Sequence, residues 1–250
     1  MSSLTQEQKS RVTIVYHDLK SEINPWIKKE IGEIDIILHL AAGSHVDRSI
    51  DYPMEFVLDN IVGTANILEY ARSTHKSTGL ERFIYFSTDE IFGPAPKGVD
   101  YKENDRYNST NPYSASKAGG EELSVAYENT YGLPVYITHT MNVFGERQHP
   151  EKFVPKIINH LIQNKTLTIH SNKNKTRAGS RFYIHAKDVA DAVMFILKKG
   201  KVGEKYNIVG SKELDNLQLA QIVAKTLKFL SVITISPELG TAYVTAVMML

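Results

Sequence analysis

The 250-residue sequence contains no cysteine. This excludes a disulfide framework, catalysis by a thiolate and a metal site with cysteine ligands. It also lacks a strong net charge, since 29 Lys and Arg residues stand against 28 Asp and Glu residues. A balance of +1 gives no indication of nucleic acid or an anionic membrane surface as a partner. His39, His45 and His185 share no metal-ligand spacing, so we predict no metal site.

An apolar leader is also missing. The N-terminus "MSSLTQEQKSR" is polar and shows no apolar core of a signal peptide, and together with the absence of cysteine this favours a cytoplasmic protein. From Ser231 onward Glu238 is the only charged residue, and 20 such residues approach membrane-span length. Pro237 and Gly240 interrupt the run, however. We therefore predict an atypical apolar tail at 231–250 and no membrane partner.

Buried-strand patterns alternate with helical patterns along the first part of the chain. Apolar runs predict strands at 11–19, 34–43, 82–88 and 134–145, and apolar spacing predicts helices at 26–34, 53–73 and 111–132. This alternation favours βαβ units around a parallel sheet. After Gly145 shorter elements and a basic polar loop follow. The predicted organisation is one region at 1–145, a smaller region at 146–230, and the tail.

The stretch "YFSTDEIFG" (85–93) ends an apolar strand in Thr88, Asp89 and Glu90. Two adjacent carboxylates repel one another. One interpretation is a solvated turn after a strand. The other is an acid and base pair at the carboxyl end of a sheet strand, where open α/β sheets bind ligands.

Tyr113 and Lys117 lie four residues apart on a predicted helix, so both side chains share one face. A lysine ammonium beside a phenol lowers the pKa of the phenol and makes it a usable base. The same spacing occurs at Tyr16 with Lys20 and at Tyr183 with Lys187. Those pairs lie in strand-like or loop sequence, where this offset does not bring side chains together. Context therefore favours Tyr113 and Lys117.

Three further features have two interpretations each. The small residues of "LAAGSHVDRS" (40–49) either pack a strand tightly on a helix or let a ligand approach the backbone. Asp18 either caps a helix or contacts an adenine. Arg177 and Arg181 either belong to a solvated loop or bind a diphosphate, for which guanidinium groups are well suited.

Six stretches, in this order, resemble the extended short-chain dehydrogenase/reductases, and within them the nucleotide-sugar 4,6-dehydratases. They span about residues 11 to 225 and read "HLAAGSHVDRSI", "DNIVGTANILEYAR", "FIYFSTDEIFG", "NPYSASKAGGEEL", "MNVFGERQHPEKFVPKII" and "SRFYIHAKDVADA". The resemblance implies a Rossmann-like doubly wound parallel sheet with a smaller α/β substrate-binding region. It also implies NAD as cofactor, a nucleotide sugar, expected to be dTDP-glucose, as substrate, and a homodimer through the helices at 55–73 and 112–130.

The resemblance assigns roles to five residues. Tyr113 deprotonates the O4 hydroxyl of the hexose while the C4 hydride passes to NAD. Glu90 then removes the C5 proton, Asp89 protonates the departing C6 hydroxyl, and Thr88 hydrogen-bonds the sugar near O4. Lys117 also binds the nicotinamide ribose. An acid beside a base is what elimination of water requires.

Further contacts follow from the same resemblance. The residues implied to contact NAD are Asp18, Leu19, Leu40, Ala41, Ala42, Ser44, Asp59 and Val143, in addition to Tyr113 and Lys117. Those implied to contact the sugar nucleotide are His45, Asn142, Lys152, Phe153, Arg181 and Asn216, in addition to Thr88.

The sequence departs from the family pattern in several places. Gly43 replaces a usual glutamate, and Asp59 replaces a threonine. None of the 15 glycines forms the G-x-x-G-x-x-G turn, which presents backbone N–H groups to the dinucleotide phosphates. The chain begins where the family's third strand is expected, and the last substrate-domain segments are replaced by the apolar tail.

These observations favour a fragment of a sugar-nucleotide dehydratase that keeps its catalytic residues. Two alternatives stay open. One is a related UDP-sugar dehydratase or decarboxylase, which product analysis distinguishes. The other is an inactive remnant that acts at most as an interaction module through the helices at 55–73 and 112–130.

Overall fold

The computed structural model describes residues 4–96, 98–170, 178–228, 230–235 and 241–247. Arg177, one of the two predicted diphosphate ligands, lies outside the described residues. The chain divides into two compact units, Met1–Thr140 with Phe195–Asn207, and Met141–Met194 with Ile208–Leu250. The domain boundaries predicted at 145 and 230 stay a prediction.

Both helices and strands occur throughout the described residues. Up to residue 140 they are α1 (Gln6–Ser10), α2 (Pro25–Ile31), β1 (Ile36–His39), α3 (Val46–Asp51), α4 (Pro53–Val57), α5 (Gly63–Thr78), β2 (Arg82–Thr88), α6 (Pro112–Tyr131) and β3 (Val135–Thr140). The later elements are β4 (Val143–Phe144), α7 (Phe153–Ile162), β5 (Leu167–His170), β6 (Ser180–Phe182), β7 (Ile184–His185), α8 (Ala186–Lys199), β8 (Lys205–Ile208), β9 (Glu213–Asp215), α9 (Asn216–Thr226), β10 (Leu230–Ile235) and β11 (Thr241–Val247).

The first unit is built on a sheet with the strand order β1-β2-β3-β8. β1 pairs with β2 and β2 with β3 in parallel, in registers that set Leu38 opposite Ile84 and Thr88 opposite Thr140. β2 is buried along most of its length, with Phe83 and Tyr85 fully enclosed. The predicted α/β class with a parallel sheet is confirmed, and the carboxyl ends of these strands meet at one edge.

The strand predicted at 11–19 is wrong. Residues 12 to 18 belong to no strand, and the side chains of Val12, Ile14 and Tyr16 are exposed. In a doubly wound sheet of order 3-2-1-4-5-6 the third strand is separated from the fourth by two others. By the resemblance given above, this segment would correspond to the third strand and β1 to the fourth, and the described residues supply neither intervening strand. An apolar alternating sequence without a ladder partner stays extended but unpaired.

β1 is also less buried than its apolar sequence predicts. Ile37 and His39 face the core, whereas Ile36 and Leu38 are 38% and 44% exposed. β1 is the edge of its sheet, so one of its faces lacks the cover that a central strand receives. A continuous apolar run indicates a strand, but whether both faces are buried depends on its neighbours.

The helix predicted at 53–73 is confirmed, with a local irregularity. α4 and α5 are joined by a π-helical turn at Leu58–Val62, so the backbone stays helical from Pro53 to Thr78. Such turns add one residue to the helix and are frequent at functional sites. Here the turn points Asn60 into the interior, where it is 1% exposed.

The helix predicted at 111–132 is confirmed together with both of its ends. The Asn111 side chain accepts a hydrogen bond from the Ser114 N–H at 2.8 Å and caps α6, and Pro112 occupies the first position. Gly132 ends the helix in the left-handed conformation with φ of 68°. These caps fix the start of α6, and therefore the position of Tyr113 one residue into it.

The second unit contains small sheets. β5, β11 and β10 form one antiparallel sheet, β6 pairs with β9, and β4 pairs with β7. Its core joins α7, β5 and α9 through Ile157, Leu161 and Leu219, among others. The apolar tail therefore supplies two strands over its described residues. Among the helices of the described ranges, none is both long and apolar enough to cross a membrane.

Candidate active site

Thr88 is the last residue of β2 and the first anchor of the site. Its hydroxyl accepts a hydrogen bond from the Glu90 N–H at 3.3 Å and begins a 3-10 turn at Asp89–Phe92. Thr88 is buried, whereas Asp89 and Glu90 are half-buried. The turn packs its apolar residues, Ile91 and Phe92, into the core. The two carboxylates are thereby left at the carboxyl end of the sheet.

Tyr113 reaches this strand end from the first turn of α6. The Thr88 side chain lies near enough to the phenol to lower its pKa, and the Thr88 hydroxyl donates a hydrogen bond to Asp89 Oδ1 at 3.3 Å. Its backbone N–H donates to the Ser49 hydroxyl at 3.1 Å, which ties the helix start to α3. Asn111 donates from Nδ2 to the Glu90 carboxylate at 3.5 Å. The structure therefore brings Thr88, Glu90 and Tyr113 together, and Asp89 adjoins them in the turn.

The predicted lowering of the Tyr113 pKa is wrong for the protein alone. Burial raises the pKa of Tyr113 to about 12, the neighbouring Thr88 side chain lowers it, and the negative charges of Glu90 and Asp89 raise it. Desolvation disfavours a phenolate that has two carboxylates nearby. The pattern of Tyr and Lys at four-residue spacing predicts a nearby cation but contains no information about this burial.

Lys117 is also enclosed, being 4% exposed. Its ammonium lies 4.2 Å above the ring centroid of Tyr85, and its backbone carbonyl accepts a hydrogen bond from the Tyr85 hydroxyl at 3.0 Å. Burial lowers the pKa of Lys117 to about 7, and the carboxylate of Glu121 acts in the opposite direction. Glu121 was not singled out from the sequence, although it stands one helical turn after Lys117.

Asn60 is a second residue that sequence reasoning missed. Its side chain accepts from the Gly43 N–H at 2.8 Å and donates to the Gly43 carbonyl at 3.1 Å. It also donates to the Ser116 hydroxyl at 2.8 Å. Asn60 thereby holds the loop after β1 against α6. The loop residues Leu40, Ala41, Ala42 and Ser44 are exposed, and His45 caps α3 through its ring nitrogen.

Asp18, Leu19 and Asp59 come together although 41 positions separate the first from the last. The Lys20 ammonium lies 3.2 Å from the Asp18 carboxylate and 3.3 Å from the Asp59 carboxylate. The Leu19 carbonyl accepts from the Asn66 side chain at 2.7 Å. The π-helical turn thus holds the segment after residue 17 on its surface.

The second unit contains the other residues that are predicted to contact NAD or the sugar nucleotide. Asn142 and Val143 lie beside β7, where the Asn142 carbonyl accepts from the Ile184 N–H at 3.2 Å. Lys152 precedes α7, and burial lowers its pKa. Phe153 packs against the core of this unit. These residues therefore lie on two separate elements of the unit.

Arg181 and Asn216 converge on Gly179. A side chain at Gly179 would lie 3.7 Å from Asn216 Nδ2 and 3.9 Å from Arg181 Nη1. The Tyr183 hydroxyl donates to Asn216 Oδ1 at 2.8 Å, which fixes that amide. A guanidinium and an amide that both lie beside one glycine are suited to oxygen-rich ligands.

The tyrosines of the competing pairs lie on irregular backbone. Tyr16 is 88% exposed and lies in the unpaired segment, and Tyr183 lies between β6 and β7. Tyr113 and Lys117, by contrast, share α6. Within the described ranges, no group of three or more His, Asp or Glu side chains is placed to hold a metal ion.

The residues present fit one half of a nicotinamide dinucleotide. An exposed loop of small residues follows β1, and Tyr113 lies on the first turn of α6 with Lys117 one turn later. These features suit the nicotinamide and its ribose at the carboxyl ends of the strands. The diphosphate half requires backbone N–H groups from a glycine-rich turn, and the sequence contains no such pattern.

In a comparison with protein families, the family model described as the NAD dependent epimerase/dehydratase family aligns with residues 2–209. Among curated proteins, the chain is 41% identical over 202 residues to a dTDP-D-glucose 4,6-dehydratase of Dictyostelium discoideum. That alignment covers 77% of this chain and 45% of the relative. The chain therefore spans under half of that protein.

Two more relatives extend the comparison. A trifunctional protein of Arabidopsis thaliana, with UDP-glucose 4,6-dehydratase among its activities, is 40% identical over 195 residues, which is 77% of this chain and 28% of that protein. Among solved structures, a dTDP-glucose 4,6-dehydratase of Streptomyces venezuelae with NAD bound superimposes with a TM-score of 0.77 at 34% identity. This superposition covers 86% of the present chain and 63% of the Streptomyces chain.

Proposed function

Because this chain belongs to the NAD-dependent epimerase/dehydratase family, we propose that it carries the catalytic residues of a nucleotide-sugar 4,6-dehydratase that acts on dTDP-glucose. NAD is the cofactor of this family. The predicted resemblance to nucleotide-sugar 4,6-dehydratases is thereby confirmed at the level of the family. One observation supports the activity most directly: the Thr88 side chain, which lowers the pKa of Tyr113, also hydrogen-bonds Asp89 and Glu90 in the adjoining turn.

Tyr113 acts first in the proposed reaction. It removes the proton of the sugar O4 hydroxyl, and Thr88 holds that oxygen by a hydrogen bond. Lys117 supplies the positive charge that offsets the carboxylates around the phenol. Since burial raises the pKa of Tyr113 to about 12, a cation at Lys117 is needed for proton transfer near neutral pH.

Glu90 and Asp89 carry out the elimination. Oxidation at C4 acidifies the C5 proton, which Glu90 removes as a base. Asp89 donates a proton to the C6 hydroxyl, which leaves as water, and a C5–C6 double bond forms. The proton then returns to C5. A carboxylate and a carboxylic acid side by side provide the base and the acid that this step requires.

NAD, when bound, would accept the hydride from C4 and return it to C6. The residues that would hold its nicotinamide half are Tyr113, Lys117, Leu40, Ala41, Ala42, Ser44 and Val143, and Asp18, Leu19 and Asp59 are proposed for its adenine side. The sugar nucleotide is proposed to contact His45, Asn142, Lys152, Phe153, Arg181 and Asn216. We further propose a homodimer through the helices at 55–73 and 112–130, and a cytoplasmic location.

A UDP-sugar substrate is the second candidate. The identity to the Arabidopsis UDP-glucose 4,6-dehydratase is 40%, against 41% for the Dictyostelium dTDP-glucose enzyme. These two sequence identities do not distinguish a dTDP-sugar from a UDP-sugar as the substrate. The catalytic assignments are the same for both substrates, because the thymine or uracil ring lies at the end of the nucleotide that is farthest from the reacting sugar.

Product analysis tests the proposal. Residues 11–225 are fused between the N-terminal and C-terminal segments of the Streptomyces venezuelae relative, giving what we call the restored chain. We expect it to convert dTDP-glucose to a 4-keto-6-deoxy product, identified by mass spectrometry and NMR, with UDP-glucose assayed in parallel. A folded restored chain that binds NAD but releases no such product from either sugar would contradict the proposal and favour an inactive remnant.

A further inference from the structure

Glu121 lies at the centre of a buried polar network in the first unit. Its side chain is fully buried at one helical turn after Lys117. The His139 ring nitrogen Nε2 lies 3.1 and 3.2 Å from its two carboxylate oxygens. The Lys205 ammonium lies 3.0 Å from Oε1. Two elements of the sheet, β3 and β8, therefore place polar groups on this one carboxylate.

The surroundings of the network keep Glu121 ionised. The Tyr107 hydroxyl donates to Oε1 and also contacts the Lys205 ammonium. The Asn207 side chain holds the other ring nitrogen of His139 at 3.0 Å. Burial raises the pKa of Glu121, but the hydrogen bond and charge of His139, together with the hydrogen bond from Tyr107, lower it to about 2. A full negative charge is therefore fixed inside the protein at neutral pH.

A purely structural role would be to tie β8 to the sheet through Lys205. The position of Glu121 on α6 favours an additional, electrostatic role. Residues at i, i+4 and i+8 line one face of a helix, so Tyr113, Lys117 and Glu121 succeed one another on α6. A fixed negative charge one turn from a buried ammonium stabilises the charged form of that ammonium.

We propose that Glu121 is a positioning residue that keeps Lys117 cationic inside the protein and so enables Tyr113 to act as a base. This inference rests on the proposed function for its catalytic consequence. Its physical content, the charge state of Lys117, is independent of turnover. Glu121 is assigned no contact with the reacting atoms or with the cofactor, and it acts through Lys117.

Several titratable groups face this pair, and each is accounted for. They are Tyr113 on α6, His39 on β1, Tyr85 on β2, His139 on β3, Tyr107 in the loop before α6, and Lys205 on β8. His139 and Lys205 bind the Glu121 carboxylate and offset part of its charge. His39 has a lowered pKa and the three tyrosines have raised pKa values, so all four are neutral near pH 7. Glu121 supplies the attraction that burial of Lys117 opposes.

Titration of Lys117 in the 250-residue chain tests the inference. The protein is labelled at lysine Cε with ¹³C, and the Lys117 resonance is assigned from its loss in Lys117→Arg. In Glu121→Gln we expect the titration midpoint of Lys117 to fall by about one pH unit or more, because a buried negative charge one helical turn away has been removed. The matched control is Glu122→Gln, which removes the same charge from the exposed neighbouring position and should leave the midpoint in place.

The direction of the shift separates the two roles. If Glu121 were only structural, its loss would admit water, and the midpoint would rise toward the ordinary value for lysine. A rise, no shift, or an equal fall in Glu122→Gln would overturn the inference. Should Glu121→Gln not fold, Glu121→Asp retains the charge, and its midpoint should stay within about one pH unit of wild type; a larger rise would overturn the inference. None of these outcomes depends on turnover of dTDP-glucose.

Discussion

The Lys117 ammonium lies over the ring of Tyr85, while the hydroxyl of the same Tyr85 donates to the Lys117 backbone carbonyl. One residue of β2 thus contacts both the backbone and the charged group of Lys117, which lies one helical turn after the proposed base. This close approach of strand and helix depends on Gly120. A Cβ there would lie 2.4 Å from the Tyr85 hydroxyl and 2.8 Å from the Asn60 carbonyl.

Gly120→Ala should therefore destabilise the protein, by about 1–3 kcal/mol as for other overpacked cores. The matched control is Gly119→Ala on the same helix, where the new methyl would meet only the flexible end of Ile61 at 2.9 Å. Since alanine favours helix over glycine by about 1 kcal/mol, the control should be neutral or stabilising. Urea unfolding of both variants measures the difference. Equal stability of the two would contradict the packing described here.

His39 should make the stability depend on pH. Its Nε2 lies 3.0 Å from the Thr64 hydroxyl, which itself donates to the Asn60 carbonyl, so His39 is the donor. Burial, and then the charge of Lys117, lower the pKa of His39 to about 4. Between about 4 and 6.5 the unfolded chain binds a proton that the folded chain does not. Stability from this group is therefore complete above about pH 6.5 and is lost as the pH falls to about 4.

The expected contribution of His39 is on the order of 3 kcal/mol, from the pKa difference. Urea unfolding across this pH range should show that the free energy of unfolding depends less on pH in His39→Gln than in the wild type. The glutamine side chain retains a hydrogen-bond donor but does not titrate. His149→Gln, at an exposed histidine, serves as control and should follow the wild type. An unchanged pH dependence in His39→Gln would show that His39 is charged in the folded protein.

Tyr113→Phe should abolish the first oxidation in the restored chain, with a loss of about 10²- to 10⁴-fold or more. The control is Tyr16→Phe, which removes the same hydroxyl from an exposed position of a competing pair. Lys117→Met should shift the pH optimum upward, because the phenol loses its cationic neighbour. Steady-state rates across pH check both. An equal loss in Tyr16→Phe would mean that the wrong pair was assigned.

Glu90→Gln should block exchange of the C5 proton with solvent in the restored chain but leave oxidation at C4 possible. The reason is that only the second step requires this base. The loss in elimination should be about 10²- to 10⁴-fold, and Asp89→Asn should slow the same step. Deuterium uptake at C5, followed by NMR, reports the exchange. Full elimination activity in Glu90→Gln would remove Glu90 from the mechanism.

The 250-residue chain should bind NAD poorly or not at all. The reason is the missing glycine-rich turn, for which the described residues offer no equivalent set of phosphate-binding N–H groups. Its unpaired segment and the exposed face of β1 also favour association at high concentration. Calorimetry on dilute protein, with the restored chain as positive control, measures this. Micromolar binding to the 250-residue chain would mean that another segment replaces the turn.

The parts of the fold that the sequence predicts correctly depend on local signals. The caps Asn111 and Gly132 define α6, and the apolar run 82–88 is β2 to the residue. The segment 11–19 has an equally strong local pattern, yet it forms no strand, because a strand also requires a partner supplied from elsewhere in the chain. The exposure of Leu38 has the same non-local cause.

The site divides in the same way. The identities of Thr88, Glu90 and Tyr113 follow from motif and context, and the structure brings them together. The pKa values of Tyr113 and Lys117 could not be predicted, because they depend on burial and on charges from other elements. Glu121 was missed for the same reason: its partners, His139 and Lys205, are 18 and 84 positions away.

The fate of the C4 hydrogen tests the central claim most directly. The restored chain is supplied with dTDP-glucose carrying deuterium at C4, and the product is examined by NMR. The account predicts that the deuterium appears at C6 of a 4-keto-6-deoxy sugar, since the hydride removed at C4 is returned to C6. A product that retains its C6 hydroxyl and carries the deuterium at C4 would contradict it, because that outcome defines an epimerase.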